Sequence, residues 1–274
     1  MRVLAAIDEW PATNAAAGLV TEGTIRTHGA SARPFALASV TKPLVALAVL
    51  VAVEEGSVDL GEAAGPPGAT IRHLLAHASG LAPDSDAVLA PPATRRIYSN
   101  RGFEVLGDAL AEATGLPVAQ YVREAVVDPL GLSATVLEGS PASGATSSVD
   151  DLAIVARQLL APTIISSATL AEATAVAFPG LDGVLPGFGR QSPNDWGLGF
   201  ELRDAKSPHW TGATNSPATF GHFGQTGTML WVDPVAGVAL VCLTDRAFGP
   251  WAAEAWPALS DAVLAEGAGG FMER

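Results

Sequence analysis

The chain has 274 residues, of which 49% are hydrophobic and 16% charged, and 28 acidic against 15 basic side chains give it a formal net charge of -13. This acid excess argues against a nucleic-acid partner, because binding phosphates requires clustered Lys and Arg. A single cysteine, Cys242, excludes an intramolecular disulfide framework and is expected to be a small buried hydrophobe. Lys42 and Lys206 are the only lysines, so few positions can supply a primary amine.

The longest apolar run, residues 44–53, bears on membrane insertion. It has ten residues, whereas a membrane-spanning helix needs about 20. Two acids and Gly56 follow it, so the run predicts a buried helix of a globular domain. Asp8 and Glu9 stand where an export signal would need its apolar segment. The sequence therefore favours a cytoplasmic protein without a membrane partner.

The first predicted elements are two strands and a helix. Between residues 15 and 36, short apolar segments alternate with turn residues, a pattern typical of a hairpin. A helix is predicted to begin near Ser39. Pro43 supports this start, because proline has no N–H and is tolerated only within the first helical turn.

Helical patterns then dominate from residue 59 to about residue 189. Phe103, Leu106 and Leu110 repeat at helical spacing, and Pro117 can open the next helix. Ser148 is followed three residues later by an acid, which predicts a capped helix over residues 152–160.

Strand patterns return after Trp196. Strands are predicted over residues 198–202, 228–232 and 238–244, with a Pro- and Gly-containing turn joining the last two. An alanine-rich stretch, 251–266, predicts a closing helix. The fold class is therefore α+β, with two intimately packed lobes: a sheet lobe of residues 1–58 and 190–274, and a helical lobe of residues 59–189.

Ser39 and Lys42 are the first candidate catalytic pair. In a helix, three positions correspond to about 300° of rotation and about 4.5 Å of rise, so the two side chains share one face. A serine hydroxyl needs a neighbour that takes its proton, and a desolvated lysine can be neutral enough to do so. The helix start offers free N–H groups for an oxyanion. The apolar helix that follows predicts a buried Lys42.

Tyr98 and Asn100 form the second motif. A phenol beside a cationic lysine can shift towards phenolate and act as a general base. The Asn100 amide can bind a substrate carbonyl or hold the lysine.

The third motif is His222, Phe223 and Gly224, just before a predicted strand. At a strand edge, the backbone N–H of Gln225 would be a second oxyanion donor, and Gly224 would allow the substrate to approach closely. His73 and His77 are spaced for one metal, but no HExxH pattern or third ligand accompanies them, so packing roles are expected and no metal or cofactor is predicted.

In this order, the three motifs resemble the serine β-lactamase and penicillin-binding protein superfamily, in its class C-like branch with esterases and D-aminopeptidases. The resemblance extends over nearly the whole chain. Its further segments are residues 35–42, 71–81, 129–132, 196–200 and 220–246.

The resemblance implies an antiparallel sheet of at least five strands flanked by helices, an all-helical lobe and a site between them. It implies that Ser39 is acylated, that Lys42 activates it and that Tyr98 shuttles protons to the leaving group. The N–H groups of Ser39 and Gln225 would form the oxyanion hole. Asn100, His222, Phe223 and Gly224 would contact the substrate.

One departure concerns the third motif, where many members of the superfamily have Lys-Thr-Gly. A largely neutral His222 anchors a carboxylate more weakly than an obligate cation. We expect a serine hydrolase of small-molecule esters, amides or β-lactams, with penicillin turnover slow or absent. A binding or sensor module that acylates without turnover is the alternative. An α/β-hydrolase is disfavoured because residues 29–33 lack the second glycine of its nucleophile motif.

Overall fold

The computed structural model describes residues 3–270, and the side chains of residues 3–266. The strands within this range are Ala15–Thr21 (β1), Ile25–Gly29 (β2), Phe35–Ala36 (β3), Val136–Leu137 (β4), Ala145–Ser147 (β5), Gly183–Leu185 (β6), Gly189–Gln191 (β7), Glu201–Leu202 (β8), Phe220–Gly224 (β9), Thr228–Asp233 (β10) and Val238–Thr244 (β11).

The α-helices are Thr41–Glu54 (α1), Ile71–Leu75 (α2), Asn100–Thr114 (α3), Val118–Val122 (α4), Asp128–Leu130 (α5), Val149–Leu160 (α6), Ser167–Ala173 (α7) and Pro250–Gly270 (α8). Two 3₁₀ segments, Val3–Glu9 and Ala38–Val40, precede β1 and α1, and a π-helical turn over Arg123–Val127 joins α4 to α5. Among the described residues, no helix is both long and apolar enough to cross a membrane.

A six-stranded antiparallel sheet in the order β2-β1-β11-β10-β9-β8 forms the centre of the molecule. The β1–β2 hairpin confirms the hairpin predicted near the start of the chain, and the β10–β11 hairpin confirms the one predicted for residues 228–244. Asp233 closes the second hairpin by accepting the backbone N–H groups of Val235 and Ala236. The antiparallel α+β fold class expected from the sequence is confirmed.

Both faces of the sheet are covered, which explains why all seven residues of β11 are buried. Because side chains alternate across a strand, Val241 and Leu243 pack into the core that contains α1 and α6. Leu240 and Cys242 point to the other face, where they pack into the core that contains Trp256 of α8. Burial there raises the pKa of the Cys242 thiol, as expected for a small buried hydrophobe.

Helix α6 packs against β1 and β11. The helical lobe predicted for residues 59–189 therefore includes one helix that belongs to the sheet layer. Helix α6 packs on the sheet because its apolar face is covered there, and Leu152, Val155 and Ala156 are fully buried. The predicted cap is present, since the Ser148 hydroxyl accepts the N–H of Asp151, but the helix begins at Val149 and not at residue 152.

The strand predicted over residues 198–202 is reduced to β8, Glu201–Leu202. Gly199 explains the difference, because it has a φ of +85° and its Cα faces α1 closely. A Cβ there would lie 2.2 Å from the Cβ of Ala46. The chain bends at this point to pass α1 before it enters the sheet.

Helix α1 lies in the interior, and eleven of its fourteen residues are buried. It contacts α3 and α4 on one side and β9 on the other. A lysine in its first turn is thus held between the helical part of the molecule and the sheet.

Candidate active site

Ser39 lies in the 3₁₀ turn Ala38–Val40, and Lys42 is the second residue of α1. The Lys42 Nζ is 3.3 Å from the Ser39 Oγ, as the predicted spacing requires. Ala38 has a φ of 47°, in the left-handed region that residues with a Cβ rarely adopt. The turn that presents Ser39 is therefore strained and is held by its surroundings.

Lys42 is completely buried, as the apolar helix predicted. Burial lowers its pKa from 10.5 to about 7, although Asp84 and Glu104 oppose this shift. At neutral pH, a large fraction of Lys42 is therefore an uncharged amine. That is the state in which a lysine can accept a proton.

The contacts of Lys42 orient such an amine. Its Nζ is 2.8 Å from Oδ1 of Asn100 and 2.9 Å from the carbonyl oxygen of Ala142. Both oxygens only accept hydrogen bonds, so they take the two N–H groups of the neutral amine. The remaining lone pair faces the Ser39 hydroxyl, which can then donate to it.

Tyr98 approaches Ser39 from another side. Its hydroxyl donates to the Ser39 Oγ at 2.8 Å. Burial raises the pKa of Tyr98 above its usual value. The charge of Asp84 adds to this shift and the hydrogen bond to Ser39 opposes it, so the phenol is protonated in the free protein and the expected shift towards phenolate is not found there. Lys42 lies 4.7 Å from the centre of the Tyr98 ring.

Asn100 holds the lysine, one of the two roles considered for it. Its Nδ2 donates to Oδ1 of Asp84 at 2.8 Å, while its Oδ1 accepts from Lys42. Both ends of the amide are thus engaged within the protein. Asp84 was not found from the sequence, because it lies in an irregular loop and belongs to none of the three motifs.

His222 lies on β9 and is buried. Its Nδ1 is 2.7 Å from the carbonyl oxygen of Phe223. Because a carbonyl can only accept, Nδ1 carries the proton and Nε2 has the lone pair. Burial and the nearby Lys42 lower the pKa of His222 to about 3. The imidazole is therefore neutral, in line with the expectation of a weak carboxylate anchor.

A structural requirement for glycine at position 224 is visible in the fold, while the expected close approach of a substrate stays a prediction. A Cβ there would lie 2.3 Å from the carbonyl oxygen of Leu37 and 2.4 Å from Oγ1 of Thr228. This close approach is to the chain that leads into the Ser39 turn, and it needs no substrate. Gly224 fixes the distance between β9 and Ser39.

A cleft of about 230 Å³ opens over Ser39. Of the predicted site residues, Ser39, Tyr98, Asn100, His222, Phe223 and Gln225 line it. Lys42 lies behind them, in contact with Ser39. The three sequence motifs are therefore brought together, whereas the oxyanion and substrate-binding roles remain predictions.

His77 and Arg96 support the Tyr98 segment from behind. The Nδ1 of His77 accepts the N–H of Ser99, and its ring packs 4.5 Å from the Tyr98 ring and 4.8 Å from that of Trp196, between centroids. The buried Arg96 guanidinium donates to the carbonyl of Ala76 and to three other carbonyl oxygens of the loops around it. The packing role expected for His77 is thus observed.

Glu201 forms a wall of the cleft together with a buried polar cluster. Its carboxylate accepts hydrogen bonds from the Lys206 ammonium and from Trp210 Nε1, the latter at 2.9 Å. It also contacts His209 Nε2 at 2.8 Å. Burial alone would raise the pKa of Glu201, but His209 and Lys206 lower it below its usual value. Within the described residues, no group of three His, Cys, Asp or Glu side chains could hold a metal ion.

Comparison with known proteins agrees with this geometry. Residues 13–264 match the model of the Beta-lactamase family. The chain belongs to this family. A crystal structure of a beta-lactamase from Mycobacterium bovis is similar to it, with 58% identity and a TM-score of 0.96 over 97% of this chain and 99% of that one.

More distant relatives carry other names. EstCE1, described as a hydrolase with promiscuous acyltransferase activity, has 21% identity and a TM-score of 0.77 over 96% of this chain and 97% of its own, which shows the fold alone. A protein of Salmonella paratyphi B named "Putative D-alanyl-D-alanine carboxypeptidase" is 26% identical over 212 residues. That match covers 58% of this chain, and the chain spans about half the length, 47%, of this curated relative.

Proposed function

We propose that this Beta-lactamase-family protein is a serine hydrolase that forms an acyl-enzyme on Ser39, with small esters as its preferred substrates. The observation that carries the proposal is the environment of Ser39. Its Oγ lies 3.3 Å from the amine of Lys42 and 2.8 Å from the phenol of Tyr98. A nucleophile with an adjacent base and a proton donor is the arrangement that acyl transfer requires.

In the acylation step, neutral Lys42 takes the Ser39 proton while Oγ attacks the ester carbonyl. The carbonyl oxygen becomes an oxyanion, and the N–H groups of Ser39 and Gln225 are its proposed donors. When the tetrahedral intermediate collapses, the proton on Lys42 passes to the leaving alcohol. Tyr98, whose phenol is protonated and hydrogen-bonded to Oγ, is placed to relay it.

Deacylation repeats these steps with water in place of the serine hydroxyl. Lys42 takes a proton from water, the hydroxide oxygen attacks the acyl carbon, and the proton returns to Ser39. The overall reaction converts one ester and one water into an acid and an alcohol. Asn100 and Ala142 accept two N–H groups of the amine, so its lone pair is directed at the reacting oxygen whenever Lys42 is neutral.

The neutral His222 supports esters over β-lactams. A penicillin and a peptide C-terminus both carry a carboxylate that a cation next to the nucleophile would bind. With its pKa near 3, His222 supplies no such charge at neutral pH. We therefore expect nitrocefin to be turned over more slowly than a p-nitrophenyl ester of similar size.

The test is hydrolysis of p-nitrophenyl butyrate, nitrocefin and a D-alanyl-D-alanine peptide by the wild type, by Ser39→Ala and by Ser57→Ala. Ser57 is an exposed serine outside the cleft, so its variant is the matched control. The proposal expects ester hydrolysis in the wild type and Ser57→Ala and its loss in Ser39→Ala. Undiminished ester hydrolysis by Ser39→Ala would refute it, and so would the absence of any adduct of the wild type with both a fluorophosphonate and a fluorescent penicillin.

A further inference from the structure

The cleft over Ser39 is lined by residues from several loops and strands. The lining residues are Ser39, Pro83, Asp84, Tyr98, Asn100, Leu185, Pro186, Trp196, Glu201, His222, Phe223 and Gln225. Among these described residues, two carry a carboxylate and none is Lys or Arg.

The two carboxylates differ in what a substrate would experience. Glu201 is buried and its charge is matched by Lys206, which it contacts directly. Asp84 is exposed, and the contact of its Oδ1 within the protein is the uncharged amide of Asn100. Asp84 is therefore the negative charge that the cleft presents to a bound molecule.

The nearby groups cancel this charge only in part. Lys42 lies behind Asn100, and with a pKa of about 7 only about half of it is charged at neutral pH. His222 is neutral, for the reasons given above. Arg33 lines a separate groove, which meets the cleft at Gln225.

From this charge distribution we infer that Asp84 determines substrate specificity and makes the cleft select ester substrates that carry a cationic group near the scissile carbonyl over those that carry a carboxylate. The inference rests on the proposed function and names the substrate class of that site. Its physical basis is the interaction of unit charges a few ångströms apart in a partly desolvated cleft, where reversing one sign changes binding by about tenfold or more.

Asp84 also positions Asn100. Because Asp84 accepts from Nδ2, the amide presents Oδ1 and not Nδ2 to Lys42. Replacing Asp84 therefore has two separable effects. The first, on Lys42, changes the turnover of every substrate alike, and the second, on charge selection, changes the ratio between substrates.

The experiment uses three p-nitrophenyl esters with one spacer: 4-(trimethylammonio)butanoate, its neutral isostere 5,5-dimethylhexanoate and the glutarate hemiester. For the wild type we expect kcat/KM to fall in the order cation, neutral, anion, with about a tenfold span between the extremes that shrinks at high salt. Asp84→Asn removes the charge and keeps an oxygen acceptor for Asn100. It should bring the ratio of cation to anion close to one.

Asp86→Asn is the matched control, because it removes the same charge from the same loop. Asp86 is paired with Arg101 at 2.6 Å and does not line the cleft. This variant should keep the wild-type ratio. An anion preferred by the wild type, or a ratio unchanged by Asp84→Asn, would overturn the inference.

Binding of the three esters to Ser39→Ala, measured by calorimetry, separates this inference from the proposed function. That variant cannot acylate at position 39, so its affinities report charge selection whether or not the wild type turns the esters over. Tighter binding of the cation, lost in the Ser39→Ala, Asp84→Asn double variant, supports the role of Asp84. Equal binding of cation and anion contradicts it.

Discussion

The two lysines of this chain are both buried, but in opposite chemical surroundings. Lys42 contacts a hydroxyl, an amide oxygen and a carbonyl oxygen. Lys206 contacts the carboxylate of Glu201 and the carbonyl oxygens of Asp195 and Leu202. The first therefore lacks a direct counter-ion, and burial brings its pKa to about 7.

In the proposed function, this difference separates a reactive amine, Lys42, from a structural one, Lys206. Burying an ammonium without a carboxylate is unfavourable, and the group responds by becoming neutral. The direct ion pair with Glu201 opposes that response at Lys206. Of the two buried lysines, Lys42 is the one that contacts the hydroxyl of Ser39, the nucleophile of the proposed function.

The largest expected effect is the loss of activity when Lys42 is replaced. Lys42→Met keeps an unbranched apolar side chain but removes the amine, so kcat for an ester should fall by about 10³-fold. The melting temperature should be unchanged or higher, because the cost of burying a lysine is removed. Steady-state kinetics and calorimetry check both. Activity within a few-fold of the wild type would contradict the assignment of Lys42 as the base.

Lys206→Met should show the reverse pattern. It leaves the buried Glu201 without its ammonium, and breaking a buried pair in this way costs about 3 kcal/mol or more in the free energy of unfolding. Denaturant unfolding measures it. The double variant Glu201→Gln, Lys206→Met should recover part of the loss, because no uncompensated charge then remains. If Lys206→Met were as stable as the wild type, the structural role given to Lys206 would be contradicted.

The pH dependence follows from the pKa of Lys42. Because the proposed mechanism uses the neutral amine, kcat/KM should rise as the pH increases through about 7. The pKa of Tyr98 is raised, so no phenolate should form below about pH 10.

The same group makes the stability of the fold depend on pH. The native pKa of Lys42 lies below its unfolded value of 10.5, so the free energy of unfolding should increase between about pH 7 and 10.5. Lys42→Met should remove this part of the increase. A flat activity profile from pH 5 to 9, on an ester whose acylation is rate-limiting, would contradict the account.

The smallest predicted effect concerns Asp84 and the same pH profile. Asp84 raises the pKa of Lys42 against the effect of burial. Asp84→Asn should therefore move the acid limb of the profile to lower pH by a fraction of a unit, whereas Asp86→Asn should leave it in place. A shift of the acid limb to higher pH in Asp84→Asn would contradict the conclusion that the Asp84 charge raises the pKa of Lys42.

Much of this arrangement is predictable from local sequence patterns. The spacing of Ser39 and Lys42 places them on one helix face. The helix that follows is apolar on every side, and this predicts that Lys42 is buried. Short apolar runs and the Pro- and Gly-containing turn between them predict β10 and β11 closely. These features depend on contacts within a few residues, which a single sequence carries.

What the sequence does not predict depends on how irregular loops fold and on contacts between distant segments. Asp84 lies in an irregular loop and meets Asn100, 16 positions further along, and Glu201 meets Lys206 because the chain turns back between them. The phenol of Tyr98 sits beside a lysine, yet its burial by His77 and Trp196 decides its pKa. Gly224 is required by the carbonyl of Leu37, a residue 187 positions away.

The central claim is that Ser39 is acylated through neutral Lys42, and trapping the acyl-enzyme tests it most directly. Wild-type protein and Lys42→Met are mixed with a p-nitrophenyl ester, quenched in acid within the first turnover and mapped by peptide mass spectrometry. The account predicts an acyl adduct on Ser39 in the wild type, formed faster as the pH rises through 7, and almost none in Lys42→Met. An adduct on another residue, or equal acylation of Ser39 in both proteins, would contradict it.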